Sequence, residues 1–223
     1  MRPHPAPLLA ALFSLSLLAP PAMAQDKPSD YAEVTEKARA LTGSKVEDDE
    51  LEKALLTHME SIFNAWYGTT WGLGAPQTKT PGEGKINCGM FVGRTLVDAG
   101  FNVDAVKLQR QPAELIIKTL VPKTHIKRWR NKPTEDFIEG VQEMGPGLYI
   151  IGLDFHVGYL LVRPDLEVRF IHASYVTHTV LDEPADVAEP IVTSKYRVVG
   201  KLFTTQNLSD YRQKRRIKVK GKW

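Results

Sequence analysis

Three side chains in this sequence could carry nucleophilic chemistry. Cys88 is the only cysteine among 223 residues and stands in the run Asn87-Cys88-Gly89-Met90-Phe91-Val92-Gly93. His156 lies in Phe155-His156-Val157-Gly158-Tyr159, and His172 in Phe170-Ile171-His172-Ala173-Ser174. The thiolate is the attacking form of cysteine, and a free thiol with a pKa of about 8.5 is mostly protonated at neutral pH. The first turn of a helix offers unpaired N–H groups and a partial positive charge. Both favour the anion, and the same N–H groups can hold the oxyanion formed when sulfur attacks a carbonyl. A cysteine at a helix start with a histidine base in reach is therefore the material of an acyl-transfer enzyme. Gly89, beside the thiol, leaves room for a substrate to approach the backbone. The plain alternatives are a small buried hydrophobe for Cys88 and hydrogen-bonded structural roles for the histidines. Zinc held by Cys88, His156 and His172 is the weaker reading. Cysteine metal sites usually show close pairs such as C-x-x-C or H-x-x-x-H, and the sequence has none.

The histidines flank a turn around Pro164, and the length of that turn decides whether they meet. With an odd loop, such as Arg163-Pro164-Asp165, Val162 faces Leu166, Leu160 faces Val168, Gly158 faces Phe170 and His156 faces His172. Opposed residues have Cβ atoms about 4.5–5.5 Å apart, so the imidazoles could bond, one orienting the other. An even loop, such as Pro164-Asp165, would put the rings on opposite faces. The shared face is otherwise apolar, which leans toward the odd loop and toward packing on a helix. If that helix bears Cys88, a Cys-His-His triad follows. His58, His125 and His178 stay outside this scheme.

The elements that must position these residues read as helices first and strands after. Ser29 can cap a helix over 30–41, with Tyr31, Val34, Ala38 and Leu41 on one face and Gly43 beyond its end. Leu51, Leu55, Met59, Ile62, Phe63 and Trp66 recur at helical spacing. Residues 68–84 are loop, crowded with glycine, threonine and proline. Asn87 is a good N-cap for the cysteine helix, Phe91, Val92 and Leu96 form its buried stripe, and Gly100 stops it. Pro112 opens another helix burying Leu115, Ile116 and Leu120, and 134–144 forms a further short one. From Gly145 onward, 148–153, 156–162, 166–174, 176–181 and 191–203 are rich in β-branched and aromatic residues. This order implies an α+β domain with an antiparallel sheet.

The chain ends carry other signals. Leu8–Leu18 is apolar but too short to span a bilayer, and Ala22-Met23-Ala24 is a small-residue cleavage site. Residues 1–24 thus read as a secretory signal peptide, so the protein is expected to be periplasmic or secreted. The division that follows is an N-terminal helix and connector over 25–47, a main domain over 48–210 and a basic tail over 211–223. The tail carries seven basic residues and no acid, and 121–132 is also basic, although the net charge is only +3. Such clusters can meet anionic polymers or a membrane surface. The plain reading of the last few residues is a solvated, partly disordered tail. Nothing resembles a nucleic-acid-binding module.

Four blocks carry a family resemblance: Gly68-Thr69-Thr70-Trp71-Gly72-Leu73-Gly74, Asn87–Val92, His156-Val157-Gly158-Tyr159-Leu160 and Ile171-His172-Ala173-Ser174. In order and content they resemble the NlpC-type cysteine peptidases, and they span roughly 68–174. The order of cysteine before histidine is that of the unpermuted members. Asn87 and Gly89 stand where the family usually has an acid and a serine. Trp71 stands where a tyrosine is common, with Tyr67 nearby. The resemblance implies a papain-like fold, Cys88 as nucleophile, His156 as base and His172 as the orienting residue, with no cofactor. Tyr67, Trp71 and Gly89 would line the substrate groove. It further implies hydrolysis of amide bonds in the peptide stems of peptidoglycan, an extracytoplasmic substrate that suits the leader. An acyltransferase or amidase on a lipid or protein, and a catalytically inactive wall-binding module, are the alternatives.

Overall fold

The computed structural model describes residues 31–74 and 76–221, so the expected leader and the Ser29 cap lie outside them. In chain order the elements begin with α1 (Tyr31–Ala40), α2 (Asp48–Trp66), β1 (Thr70–Trp71), β2 (Lys85–Ile86), α3 (Cys88–Asp98), α4 (Ala105–Leu108) and α5 (Ala113–Leu120). There follow β3 (Ile126–Arg130), α6 (Thr134–Gln142), β4 (Gly147–Gly152), β5 (Val157–Val162) and β6 (Val168–Ala173). The chain closes with β7 (Val180–Pro184), α7 (Glu189–Val192), β8 (Tyr196–Lys201) and α8 (Thr205–Arg212). The fold is α+β, with helices packed on a six-stranded antiparallel sheet of order β3-β8-β4-β5-β6-β7.

Alternation along β5 and β6 sorts their side chains between two apolar layers. Tyr159, Leu161, Ile171 and Ala173 join the larger cluster with α2 and α3. Leu160, Val162, Val168 and Phe170 join a smaller one with Phe137 and Val141 of α6. The α2 stripe read from the sequence is fully buried against the first layer. Asp98, at the end of α3, is a 0 % exposed carboxylate. It accepts from Tyr31 Oη at 2.6 Å, Arg39 Nη2 at 3.1 Å and Arg94 Nε at 2.9 Å, and so ties α1 to α3.

Several sequence expectations shift. In α5 the buried residues are Ile116, Ile117 and Leu120, with Leu115 half-exposed, because the helix starts one residue later, after Pro112 as its cap. The strand expected over 176–181 runs instead over 180–184, after a turn closed by the Ser174 N–H on the Thr179 carbonyl. The segment 191–203 splits into α7 and β8. The basic stretch 121–132 contains β3, an edge strand whose exposed cations suit an unpaired flank. The stretch expected as loop contributes β1, which pairs in parallel with β2 just beyond it.

The C-terminal basic segment is docked through the described residues. The Ile217 N–H donates to the Asn102 carbonyl at 2.9 Å, and the Lys220 N–H to Thr119 Oγ1 at 3.0 Å. Tyr211 is buried inside α8, with its hydroxyl 2.8 and 3.0 Å from the Ala38 and Ala99 carbonyls. Packing is therefore continuous across residue 210, and across residue 47 through Asp98 and Tyr31. No helix among the described residues is long and apolar enough to cross a membrane.

Replacing Asp98 by alanine leaves the Tyr31 hydroxyl and two guanidinium groups without their shared acceptor. Because Arg39 is half-exposed, water recovers part of the loss. Urea denaturation should register a cost of about 2–3 kcal/mol.

Candidate active site

Cys88 opens α3 where the expected cap sits. Asn87 Oδ1 accepts from the Met90 N–H at 2.8 Å. Asn87 is itself held from two sides. Its N–H donates to Gln77 Oε1 at 2.7 Å, and its Nδ2 donates to Gln109 Oε1 at 3.2 Å. Gln77 in turn donates to the carbonyls of Gly72 and Gly74. These two glutamines, which the sequence reading passed over, fix the helix start. The first intrahelical bond runs from the Phe91 N–H to the Asn87 carbonyl, so the N–H groups of Cys88 and Gly89 remain for other partners.

The two histidines are hydrogen-bonded to each other: His156 Nε2 lies 2.7 Å from His172 Nδ1, the rings edge to face. The outer nitrogen of His172, Nε2, lies 2.8 Å from Glu183 Oε1 on β7. Three neighbouring strands thus contribute to one line: His156 from the turn before β5, His172 from β6 and Glu183 from β7. Both rings are buried, and His172 stacks on Phe170 with centroids 3.9 Å apart.

The β5–β6 register differs from the expected one by two residues. Val162 pairs with Val168, Leu160 with Phe170 and Tyr159 with Ile171, around a five-residue loop, 163–167. The loop is odd, so the faces are as expected, but the histidines meet diagonally. Continuing the register puts Gly158 across from His172. A Cβ built on Gly158 would lie 2.9 Å from His172 Cβ and 2.8 Å from Phe170 Cε2. The missing side chain is what lets the His172 ring lean toward His156. The shared face packs on a helix as expected, but that helix is not the one that bears Cys88. The face shared by Leu160, Phe170 and His172 packs toward α6, whereas α3 packs on the opposite face. Cys88 and His156 share a cleft at the end of the sheet, between the start of α3 and the turn leading into β5.

That turn is pinned. The Leu153 N–H donates to the His156 carbonyl at 2.8 Å. Asp154 Oδ2 accepts from the Lys195 N–H at 2.8 Å, and the Asp154 N–H donates to Ser194 Oγ at 3.0 Å. Cys88 and His156 then line one cleft of about 320 Å³ with Gly89, Gln109, Pro112 and Phe155. A larger cavity of about 400 Å³ lies at the far end of α5, beside α8 and the tail, and holds none of these groups.

The electrostatics are those of a neutral pair. Burial pushes the Cys88 thiol up, against the lowering pull of the backbone N–H groups of Val157, Gly89 and Cys88 itself. The thiolate expected from the helix start is therefore not the resting form. Burial, and then the neighbouring His172, push His156 down to about 3. Burial also lowers His172, with Glu183 opposing. No hydrogen bond joins Cys88 Sγ to the His156 ring; from that side the N–H of Val157, the next residue, bears on the sulfur. Catalytic bonds are commonly long before substrate binds and tighten in the complex.

The other expected groove residues separate. Gly89 lines the cleft, but its lack of a side chain admits the Gln109 backbone, whose Cα and O would lie 3.0 Å from a Cβ there. Trp71 sits 6.4 Å from the Tyr175 ring and 5.8 Å from His178, and its indole N–H is buried without a partner. Tyr67 does not border the cleft; it lies near Asp182 and Arg169, and burial raises its hydroxyl. Tyr175, absent from the sequence reading, packs edge-on against His156 at 5.3 Å. Burial raises its phenol, and the charges of Glu189 and Cys88 add to the effect. Among the described residues no three His, Cys, Asp or Glu side chains are grouped to hold a metal ion. A scan against protein-family models finds no match, and a search of the curated proteins finds none.

Two outcomes follow from this geometry. A raised thiol is less ionised at a given pH than a free one, so iodoacetamide should alkylate Cys88 more slowly than free cysteine at pH 7, with the rate climbing only above the usual thiol range. A thiolate–imidazolium pair would instead react faster and level off in acid. Gly158→Ala should lose about 1–3 kcal/mol of stability in thermal unfolding through overpacking. It should also separate the histidine rings, visible in a crystal structure as loss of the 2.7 Å contact.

Proposed function

We propose that the protein is an exported cysteine hydrolase of amide bonds with a papain-like, NlpC-type site. The observation that carries this reading is the bonded His156–His172 pair bordering the cleft of a helix-start cysteine. His156 takes the thiol proton as sulfur attacks the amide carbonyl. The N–H groups at the start of α3, which bear on the sulfur at rest, receive the oxyanion. The imidazolium returns the proton to the departing amine, and water then hydrolyses the thioester. The resemblance makes the peptide stems of peptidoglycan the first substrate to try, and the basic C-terminal segment suits an anionic wall polymer or membrane surface.

One observation favours a second reading, an acyltransferase or amidase acting on a lipid or protein. Leu73 is 75 % and Phe155 95 % exposed, and both border the cleft. The described lining residues include no cation, and the one acid, Asp154, is engaged with the Lys195 N–H. Such walls suit an uncharged, apolar group better than a peptide rich in carboxylates.

Purified muropeptides and an N-acylated amide should be incubated with wild type and Cys88→Ala, and the products read by mass spectrometry. New amine ends from muropeptides with wild type alone support the first reading. Acyl transfer to an added amine, without muropeptide cleavage, supports the second. Binding with no turnover of either substrate overturns both. The base stays unprotonated as pH falls because His156 is pushed down to about 3. The acid limb of kcat/KM should therefore lie well below the ordinary imidazole value of about 6.5.

A further inference from the structure

We propose that Glu183 is a positioning residue that sets the proton arrangement of both histidines and so leaves Nδ1 bare on His156, the ring that shares the cleft with Cys88. An ionised carboxylate can only accept hydrogen bonds. With Glu183 Oε1 at 2.8 Å, His172 Nε2 must carry the proton. A neutral imidazole has one N–H, so His172 Nδ1 is then an acceptor. The atom it faces at 2.7 Å, His156 Nε2, must therefore be the donor. His156 is neutral too, and its remaining nitrogen, Nδ1, holds a lone pair. That nitrogen is the only one left to accept the Cys88 proton. One acceptor on β7 thus determines the polarity of two hydrogen bonds and the basicity of a ring two strands away.

The opposite arrangement is equally well hydrogen-bonded and inactive. If the group at position 183 donates, His172 Nε2 accepts, His172 Nδ1–H donates to His156 Nε2, and His156 Nδ1 carries the proton. The base is then blocked. The register supports a built connection rather than a chance contact. Glu183 pairs with Phe170, which puts it on the face of Phe170 and His172 and diagonal to the latter. Its side chain is 24 % exposed, while His172 is fully buried.

The test is Glu183→Gln, which keeps shape and hydrogen bonding but can donate as well as accept. The proposal rests on Cys88 and His156 acting as nucleophile and base, but the first measurement does not need turnover. In wild type, nitrogen-15 spectra of the imidazoles at neutral pH should show protonated Nε2 and bare Nδ1 on both rings. In Glu183→Gln the two rings should populate the reversed form together. Glu183→Asp, which keeps the charge, should retain the wild-type pattern. With a substrate in hand, kcat should fall about tenfold in Glu183→Gln with KM little changed, in line with loss of general-base action. Wild-type spectra with His156 Nδ1 protonated, or an unchanged pattern in Glu183→Gln, overturn the proposal. Normal spectra with no turnover of any amide overturn the hydrolase reading instead.

Discussion

Two imidazoles buried in the end of an apolar sheet bring three of their four nitrogens into hydrogen bonds, and most of the site follows from that constraint. An unsatisfied buried polar group costs roughly 1–3 kcal/mol, and charging the rings there costs more. The rings therefore stay neutral and bond to each other and to a half-buried carboxylate. Such a chain has a direction, because each neutral ring has one donor and one acceptor. The supporting details serve this chain. Phe170 stacks flat on His172, Gly158 clears the diagonal, and the five-residue loop sets the offset.

The thiol is governed by two opposing effects of unequal size. A helix start stabilises an anion by about 0.3–1 kcal/mol when exposed and up to about 2 when partly buried. Cys88 is partly exposed at the cleft, and burial of the rest of its side chain disfavours the thiolate more than the helix-start N–H groups favour it. Burial wins, and the sulfur rests as a thiol despite its place at Asn87. A low-pKa base facing a high-pKa thiol does not form an ion pair in advance. In the proposed reaction the proton moves as sulfur attacks, and the N–H groups at the start of α3 serve the developing oxyanion more than the resting nucleophile.

Much of this was legible in the residues, and the reasons for the gaps are physical. The α2 stripe, the Asn87 cap and the helix-before-strand order rest on local periodicity and capping, which the chain carries within a few residues. Parity placed His156 and His172 on one face, yet the two-residue register offset was beyond reach. It depends on a loop in which Leu166 adopts a positive φ of 67°, a conformation its residue type does not announce. Glu183 was missed because the strand was ended at Leu181, whereas the turn over Ser174–Thr179 carries β7 on to Pro184. Gln77 and Gln109 act through contacts made only after the loop before α3 and the segment after it fold together. The face that receives α3 is a tertiary choice, since both faces of β5 and β6 are apolar.

The same burial links the base and the thiol. Ile116 and Val157, both buried, form part of the cleft wall beside His156 and Cys88. Low-dielectric surroundings lower the base and raise the thiol, which on its own would slow proton transfer. In the proposed reaction they also strengthen every fixed dipole that faces the carbonyl under attack, because interactions scale inversely with the local dielectric. The arrangement thus trades ground-state ionisation for transition-state stabilisation. Fixed positions make that exchange favourable. The start of α3 is held by Asn87, Gln77 and Gln109, the turn before β5 by Asp154 and Ser194, and the ring pair by Glu183. The dipoles then need no rearrangement as charge develops on the carbonyl oxygen.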